Sequence, residues 1–114
     1  MLRIVVFLPD REGSHLLIRE CACCGGRYPV RRRGMRLLSG DSPEGDVCPD
    51  CVLSGPAGAA AKIRERLAAS RNSGGEGGTS WILLLSRRAR LLEETPSFSL
   101  AARQAAVRET RERR

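Results

Sequence analysis

Cys21-Ala22-Cys23-Cys24-Gly25-Gly26 and Cys48-Pro49-Asp50-Cys51 are the two stretches that decide how the rest of the chain is read. Two residues between a pair of cysteines let the backbone curl until both sulfurs face one ion, and the N–H groups just beyond each pair can donate to the thiolates. Gly25 and Gly26 suit the tight turn because glycine tolerates positive φ. Two such knuckles complete a tetrahedral tetrathiolate site, so Cys21, Cys24, Cys48 and Cys51 are expected to hold one structural zinc ion. Cys23 competes with its neighbours for the first pair. Cys21 and Cys24 reproduce the Cys-x-x-Cys-Gly knuckle, which leaves Cys23 as a small, partly buried spare.

Other uses of the thiols fit less well. A disulfide framework needs an oxidising compartment, and five cysteines leave one over. An iron–sulfur cluster also takes four thiolates, but paired knuckles favour zinc. Cys48-Pro49-Asp50-Cys51 would be more persuasive as a redox dithiol, or as part of a thiol-based sensor, without a second pair at ligand spacing.

A chain of 114 residues makes one small domain, or a mini-domain with a helical extension. Its core is limited, and Trp81, Tyr28, Phe7 and Phe98 are its complete set of aromatics. A metal staple compensates for that scarcity. The expected class is α+β: an N-terminal β-hairpin and a four-cysteine zinc module, followed by helices. Leu2 to Leu8 reads as a strand, Pro9 to Ser14 as a turn, and His15 to Glu20 as a second strand completing the hairpin. Arg27 to Leu38 reads as two short strands around a basic turn near Gly34, and Ser39 to Gly45 as a polar loop. A helix starting at Pro56 covers Ala57 to Ser70. A second places Trp81, Leu84, Leu85, Ala89 and Leu92 on one face, with Arg87, Arg88 and Arg90 mostly off it. A third is capped by Ser97 or Ser99 and runs to about Arg113, with Arg108–Glu112 and Glu109–Arg113 spaced to pair along it. The division is 1–70 for the hairpin, zinc module and following helix, 71–80 for a glycine-rich linker, and 81–114 for a two-helix extension.

With its knuckle at Cys21-Ala22-Cys23-Cys24-Gly25, a hairpin, and Cys48-Pro49-Asp50-Cys51 running toward a helix, the chain resembles treble-clef and zinc-ribbon domains over about residues 15–70. The treble-clef resemblance implies a second cysteine pair at the start of a helix, whose positive end favours thiolates. Ser54-Gly55-Pro56 interrupts that helix, and a start only at Pro56 would be more ribbon-like. Both forms remain open. Treble-clef nucleases of the His-Asn-His type need several histidines, whereas this chain has His15 alone, ahead of the first knuckle.

A catalytic zinc keeps a position open for water, and four cysteines close it. Asp41, Glu44 and Asp46 read as a solvated loop. Gly74-Gly75-Glu76-Gly77-Gly78 lacks the Lys-Ser/Thr of a phosphate loop and reads as a linker. The chain is therefore expected to be non-enzymatic. Its formal charge is +7, and a divalent ion in four thiolates brings this to about +5. Nearly all the positive charge is arginine, which suits bidentate phosphate contacts. Arg27, Arg31, Arg32, Arg33 and Arg36 lie in one acid-free stretch, with Tyr28 placed to stack on a base. Zinc hairpins offer such edges to phosphates, so the expected partner is nucleic acid, either DNA or RNA. The plainer reading is an ordinary solvated hairpin. The alternative function is a protein-interaction subunit of a larger nucleoprotein assembly, docking through the 81–114 helices by Trp81, Leu84, Leu85 and Leu92. The plainer reading of that stripe is packing on the zinc module. The apolar runs Ile4–Leu8 and Trp81–Leu85 are far short of the about 20 residues a membrane helix needs. Pro9 to Glu12 cut the first run too short for a signal peptide. A cytoplasmic setting, where thiols stay reduced, is expected.

Overall fold

The β-branched run at the N-terminus forms β1, Leu2–Phe7, with Leu2 and Ile4 buried and Arg3 exposed. That alternation requires a partner strand with a matching apolar face. β4, Gly34–Ser39, supplies it through Met35 and Leu37, both fully buried. The two strands run antiparallel, in register from Leu2 opposite Ser39 to Phe7 opposite Gly34. Glycine is required at the last pair, because a Cβ at residue 34 would collide with the Phe7 ring. β5, Ser42–Asp46, completes a three-stranded sheet in the order β1-β4-β5, with the register shifting between Leu37 and Leu38. A separate two-stranded sheet pairs β2, Leu17–Glu20, with β3, Arg27–Val30. The computed structural model describes residues 1–9, 17–72 and 78–112.

The α+β class holds, while the strand pairing departs from the sequence reading in three places. β1 does not pair with β2: its partner is β4, because buried apolar faces decide pairing and β4 carries the better one. The strands on either side of the Arg31–Arg33 turn do not pair with each other either, since the chain passes there from one sheet to the other. Ser39 to Gly45 is not a loop. Gly40, at φ 59°, turns the chain sharply and sends it back as edge strand β5, where Pro43 is tolerated. His15, most of the expected 9–14 turn and most of the glycine-rich stretch lie outside the described residues.

Four helices follow: α1, Pro49–Leu53; α2, Gly55–Asn72; α3, Thr79–Glu93; and α4, Leu100–Arg111. Ser54-Gly55-Pro56 splits the helical region rather than delaying it, and Gly55 at φ 77° resets the backbone between α1 and α2. Ser99 caps α4, its hydroxyl accepting the Ala102 N–H at 3.2 Å. α2 packs on α3, while α4 packs on α1 and β1. The contact faces are built from small and medium residues: Ala59, Ala60, Ile63 and Leu67 on α2; Leu85, Ala89 and Leu92 on α3; Ala102, Ala105 and Ala106 on α4. Thr95 ties the end of α3 to the sheet, its hydroxyl accepting the Leu2 N–H at 3.0 Å and donating to the Leu91 carbonyl at 2.8 Å. No helix among the described residues is long and apolar enough to cross a membrane.

Arg88 departs from the reading that sets it off the packed face of α3. It is buried, and its guanidinium donates to the carbonyls of Ala22 at 2.9 Å and Glu44 at 2.8 Å. Burial lowers its pKa from the ordinary arginine value. Arg88→Ala removes two charge-assisted bonds and leaves the Ala22 carbonyl to the longer Arg66 bond at 3.5 Å. It should lower unfolding free energy by about 2–4 kcal/mol in a urea titration, while Arg90→Ala, at an exposed position, should change it by less than about 0.5 kcal/mol.

Candidate metal centre

The first knuckle grows out of the end of β2. The Cys21 N–H donates to the Gly26 carbonyl at 2.9 Å, and the Gly25 N–H donates to the Cys21 carbonyl at 3.0 Å. Gly25 closes the turn at φ 76°, against the guanidinium of Arg66. The second pair sits at the head of α1. Cys48 is the N-cap residue and Pro49 begins the helix, which places Cys51 one turn on, facing back toward Cys48. Together the two turns bring the Sγ atoms of Cys21, Cys24, Cys48 and Cys51 within 4.8 Å of one another.

The separations match a four-coordinate ion. Cys21 Sγ lies 3.6 Å from Cys51 Sγ, and Cys24 Sγ lies 3.9 Å from Cys48 Sγ. A tetrahedron with metal–sulfur bonds of about 2.3 Å has edges of about 3.8 Å. Every sulfur also meets a donor. Cys21 Sγ accepts from the N–H groups of Cys23 and Cys48, Cys24 Sγ from Gly26, and Cys48 Sγ from Cys51, all at 3.4 Å. Cys51 Sγ instead faces Lys62 Nζ at 3.6 Å. Desolvation acts to lower the Lys62 pKa, but the sulfurs of Cys51, Cys48 and Cys24 outweigh it and hold the ammonium charged. These four residues can hold a metal ion. Cys21, Cys48 and Cys51 are buried and Cys24 is half-buried.

Cys23 stands outside the set and is fully buried rather than partly so. Hydrogen bonding to Cys21, reinforced by burial, pushes its thiol up to about 12. Behind the first knuckle, Arg66 donates to the Cys23 carbonyl at 2.9 Å, alongside the Arg88 bond to Ala22. Sequence reasoning missed Lys62, Arg66 and Arg88. Their side chains reach the site from helices far along the chain, and no spacing rule marks them.

The arginine-rich stretch is more heavily committed than its sequence suggests. Tyr28 is only 6% exposed, so its ring belongs to the core and is not available to stack on a base. Arg36 lies over the Phe7 ring at 4.6 Å and shares Asp46 with Arg19, at 3.5 and 3.6 Å. The backbone N–H groups of Arg31, Arg32 and Arg33 donate to the carboxylate of Glu109 at 3.2, 3.0 and 2.6 Å. Glu112 pairs with Arg32 at 3.5 Å and Arg33 at 3.8 Å. The acids of α4 are thus turned toward the basic turn, not along their own helix, and Arg113 lies outside the described residues. Arg27 and Arg32 remain exposed, and Arg31, Arg33 and Arg36 are half-buried. On α3, Leu85, Ala89 and Leu92 are buried, Trp81 is half-buried, and Leu84 is exposed. No protein-family model, curated protein or solved structure matches the chain.

Cys48→Ser or Cys51→Ser should abolish stoichiometric metal uptake and leave the chain unfolded by circular dichroism, because the binding energy of such an ion is folding energy. Cys23→Ser should retain the metal and lose about 1–3 kcal/mol, from a hydroxyl placed in a fully buried position.

Proposed function

We propose that the chain is a zinc-stapled module of treble-clef form that binds nucleic acid without catalysing a reaction. The four-sulfur set, closed and supplied with N–H donors, suits zinc in a structural role, with no position left for a reacting water. The order of a knuckle on β2–β3, a hairpin of β4–β5 and a second pair heading α1 supports the treble clef over the ribbon.

The observation that carries the nucleic-acid reading is the docking of the Arg31–Arg33 turn on the end of α4. It sets the exposed Arg32 beside the last turns of a helix whose outer face carries Arg103, Arg108 and Arg111. These three line a shallow groove of about 340 Å³ with Leu100, Gln104 and Val107. Among the described residues, Arg27, Arg103, Arg108 and Arg111 form no ion pair, so their charge is free for phosphate. The basic surface is therefore composite, part turn and part helix, and reads backbone charge more readily than base edges.

Protein assembly is the second reading. Leu83 and Leu84 are exposed on α3, and Leu84, lining a shallow pocket with Trp81, would give a partner an apolar contact.

Affinity for DNA or RNA oligonucleotides should fall steeply with salt as phosphate contacts release counterions. Changing Arg32, Arg108 and Arg111 together to alanine should flatten the log–log salt slope by about two to three units and leave metal content at one zinc per chain. No binding of wild type to any DNA or RNA at about 100 mM salt would sink this reading, and nuclease-resistant capture of a protein, lost in Leu84→Arg, would support the second.

A further inference from the structure

The Arg31–Arg33 turn is a cradle for an anion. Its three successive N–H groups converge on one carboxylate, an arrangement by which backbone binds phosphate and other oxyanions. The occupant is Glu109 of α4, 2% exposed and 76 to 78 residues away in sequence. One turn later, Glu112 lies between the guanidinium groups of Arg32 and Arg33. Two carboxylates of one helix thus take up three backbone donors and two arginine side chains, the set of groups that would otherwise grip a phosphodiester.

The two carboxylates are held unequally. Glu109, in the interior, takes three charge-assisted bonds, the shortest from Arg33 at 2.6 Å. Glu112 sits at the rim with Arg32, whose side chain is 74% exposed. Its contacts are ion pairs of 3.5 and 3.8 Å, and both its Oε2 and Arg33 Nη1 are buried without a hydrogen bond. Such atoms retain unmet bonding capacity. A phosphate oxygen carried to this rim would satisfy Arg33 better than Glu112 does.

We propose that Glu109 and Glu112 form a built-in phosphate mimic: an autoinhibitory latch on the basic turn, which the backbone of a bound nucleic acid displaces from the Glu112 side. The inference rests on the nucleic-acid reading above and adds a regulatory contact to it. Ligand binding and the docking of the end of α4 are then competing uses of the same donors, so free Arg32 and Arg33 cost the ligand the opening of the latch.

The test uses the full metal-loaded chain with labelled oligodeoxythymidylate and oligouridylate. Glu112→Gln should tighten binding by about three- to tenfold, the scale of one rim ion pair removed from competition. Glu65→Gln, which removes the same charge from an exposed position on α2, should change it by less than about twofold. In amide spectra the Arg31, Arg32 and Arg33 signals should shift as oligonucleotide is added. If both variants behave alike, or the oligonucleotide binds while those three amides stay fixed, the latch is wrong and the nucleic-acid reading survives. If neither wild type nor Glu112→Gln binds either probe, both fall together; binding by Glu112→Gln alone supports a latch closed in the wild type.

Discussion

The sulfur cluster joins two parts of the chain. The β2–β3 knuckle presents Cys21 and Cys24, the head of α1 presents Cys48 and Cys51, and sulfur approaches sulfur across them at 3.6 to 3.9 Å, beside the Ala22 N–H bond to the Asp46 carbonyl at 2.7 Å. Four thiolates at that spacing would repel one another strongly, a repulsion that a cation at their centre would relieve. The backbone anticipates the remaining negative charge. It aims N–H groups at Cys21, Cys24 and Cys48, and it leaves Cys51 to Lys62, the only lysine in the chain. α1 is too short to offer much macrodipole, so these individual donors, not a helix field, solvate the site.

What the cluster fixes, the helices then use. Arg66 of α2 and Arg88 of α3 both reach the carbonyls of the first knuckle, and Arg88 continues to Glu44 on β5. The N–H groups of Cys23 and Gly26 serve the sulfurs, and the carbonyls of Ala22 and Cys23 take side-chain donors instead. The guanidinium groups of buried Arg88 and half-buried Arg66, with several donors in a flat fork, meet that need. The helices after the glycine-rich stretch are therefore joined to the metal module by hydrogen bonds as well as by the packing of Leu85, Ala89 and Leu92. Alanine at Ala59, Ala60, Ala89, Ala102, Ala105 and Ala106 lets the elements approach closely, which suits a chain with few large side chains.

Local chemistry was legible in the sequence wherever it depends on neighbours. The cysteine spacing marked the candidate ligands, the β-branched run marked β1, and Ser97 or Ser99 marked the start of α4. Long-range choices were not legible in the same way. Nothing near β1 says that Met35 and Leu37 offer it a better face than the strand entering Cys21. Gly40 and Gly45 look like loop residues until the turn they permit sends β5 back along β4. Tyr28 looked available beside five arginines, yet it occupies an alternating position on β3 that faces the core. Arg88 and Glu109 are charged residues at helix positions that would usually be apolar. Their burial is understandable only through the carbonyls and N–H groups they satisfy, and those groups are contributed by turns far away in sequence.

Commitments of this kind also limit what the positive charge can do. Net charge counts every arginine equally, but the structure does not. Arg64 is bound to Glu93 and Arg87 to Glu44; Arg19 and Arg36 converge on Asp46. Arg66 and Arg88 are occupied by knuckle carbonyls. Among the described residues, the exposed arginines outside these contacts are a smaller set, including Arg27, Arg32, Arg90, Arg103, Arg108 and Arg111. Of these, Arg32 is itself contested by Glu112. Affinity for a phosphate backbone scales with the phosphates actually neutralised, not with formal charge. A surface of this size would give modest affinity strongly dependent on ionic strength, and small changes in the α4 carboxylates would alter it out of proportion to their number. The acids nearest the basic turn therefore matter more to its behaviour than the total of +7.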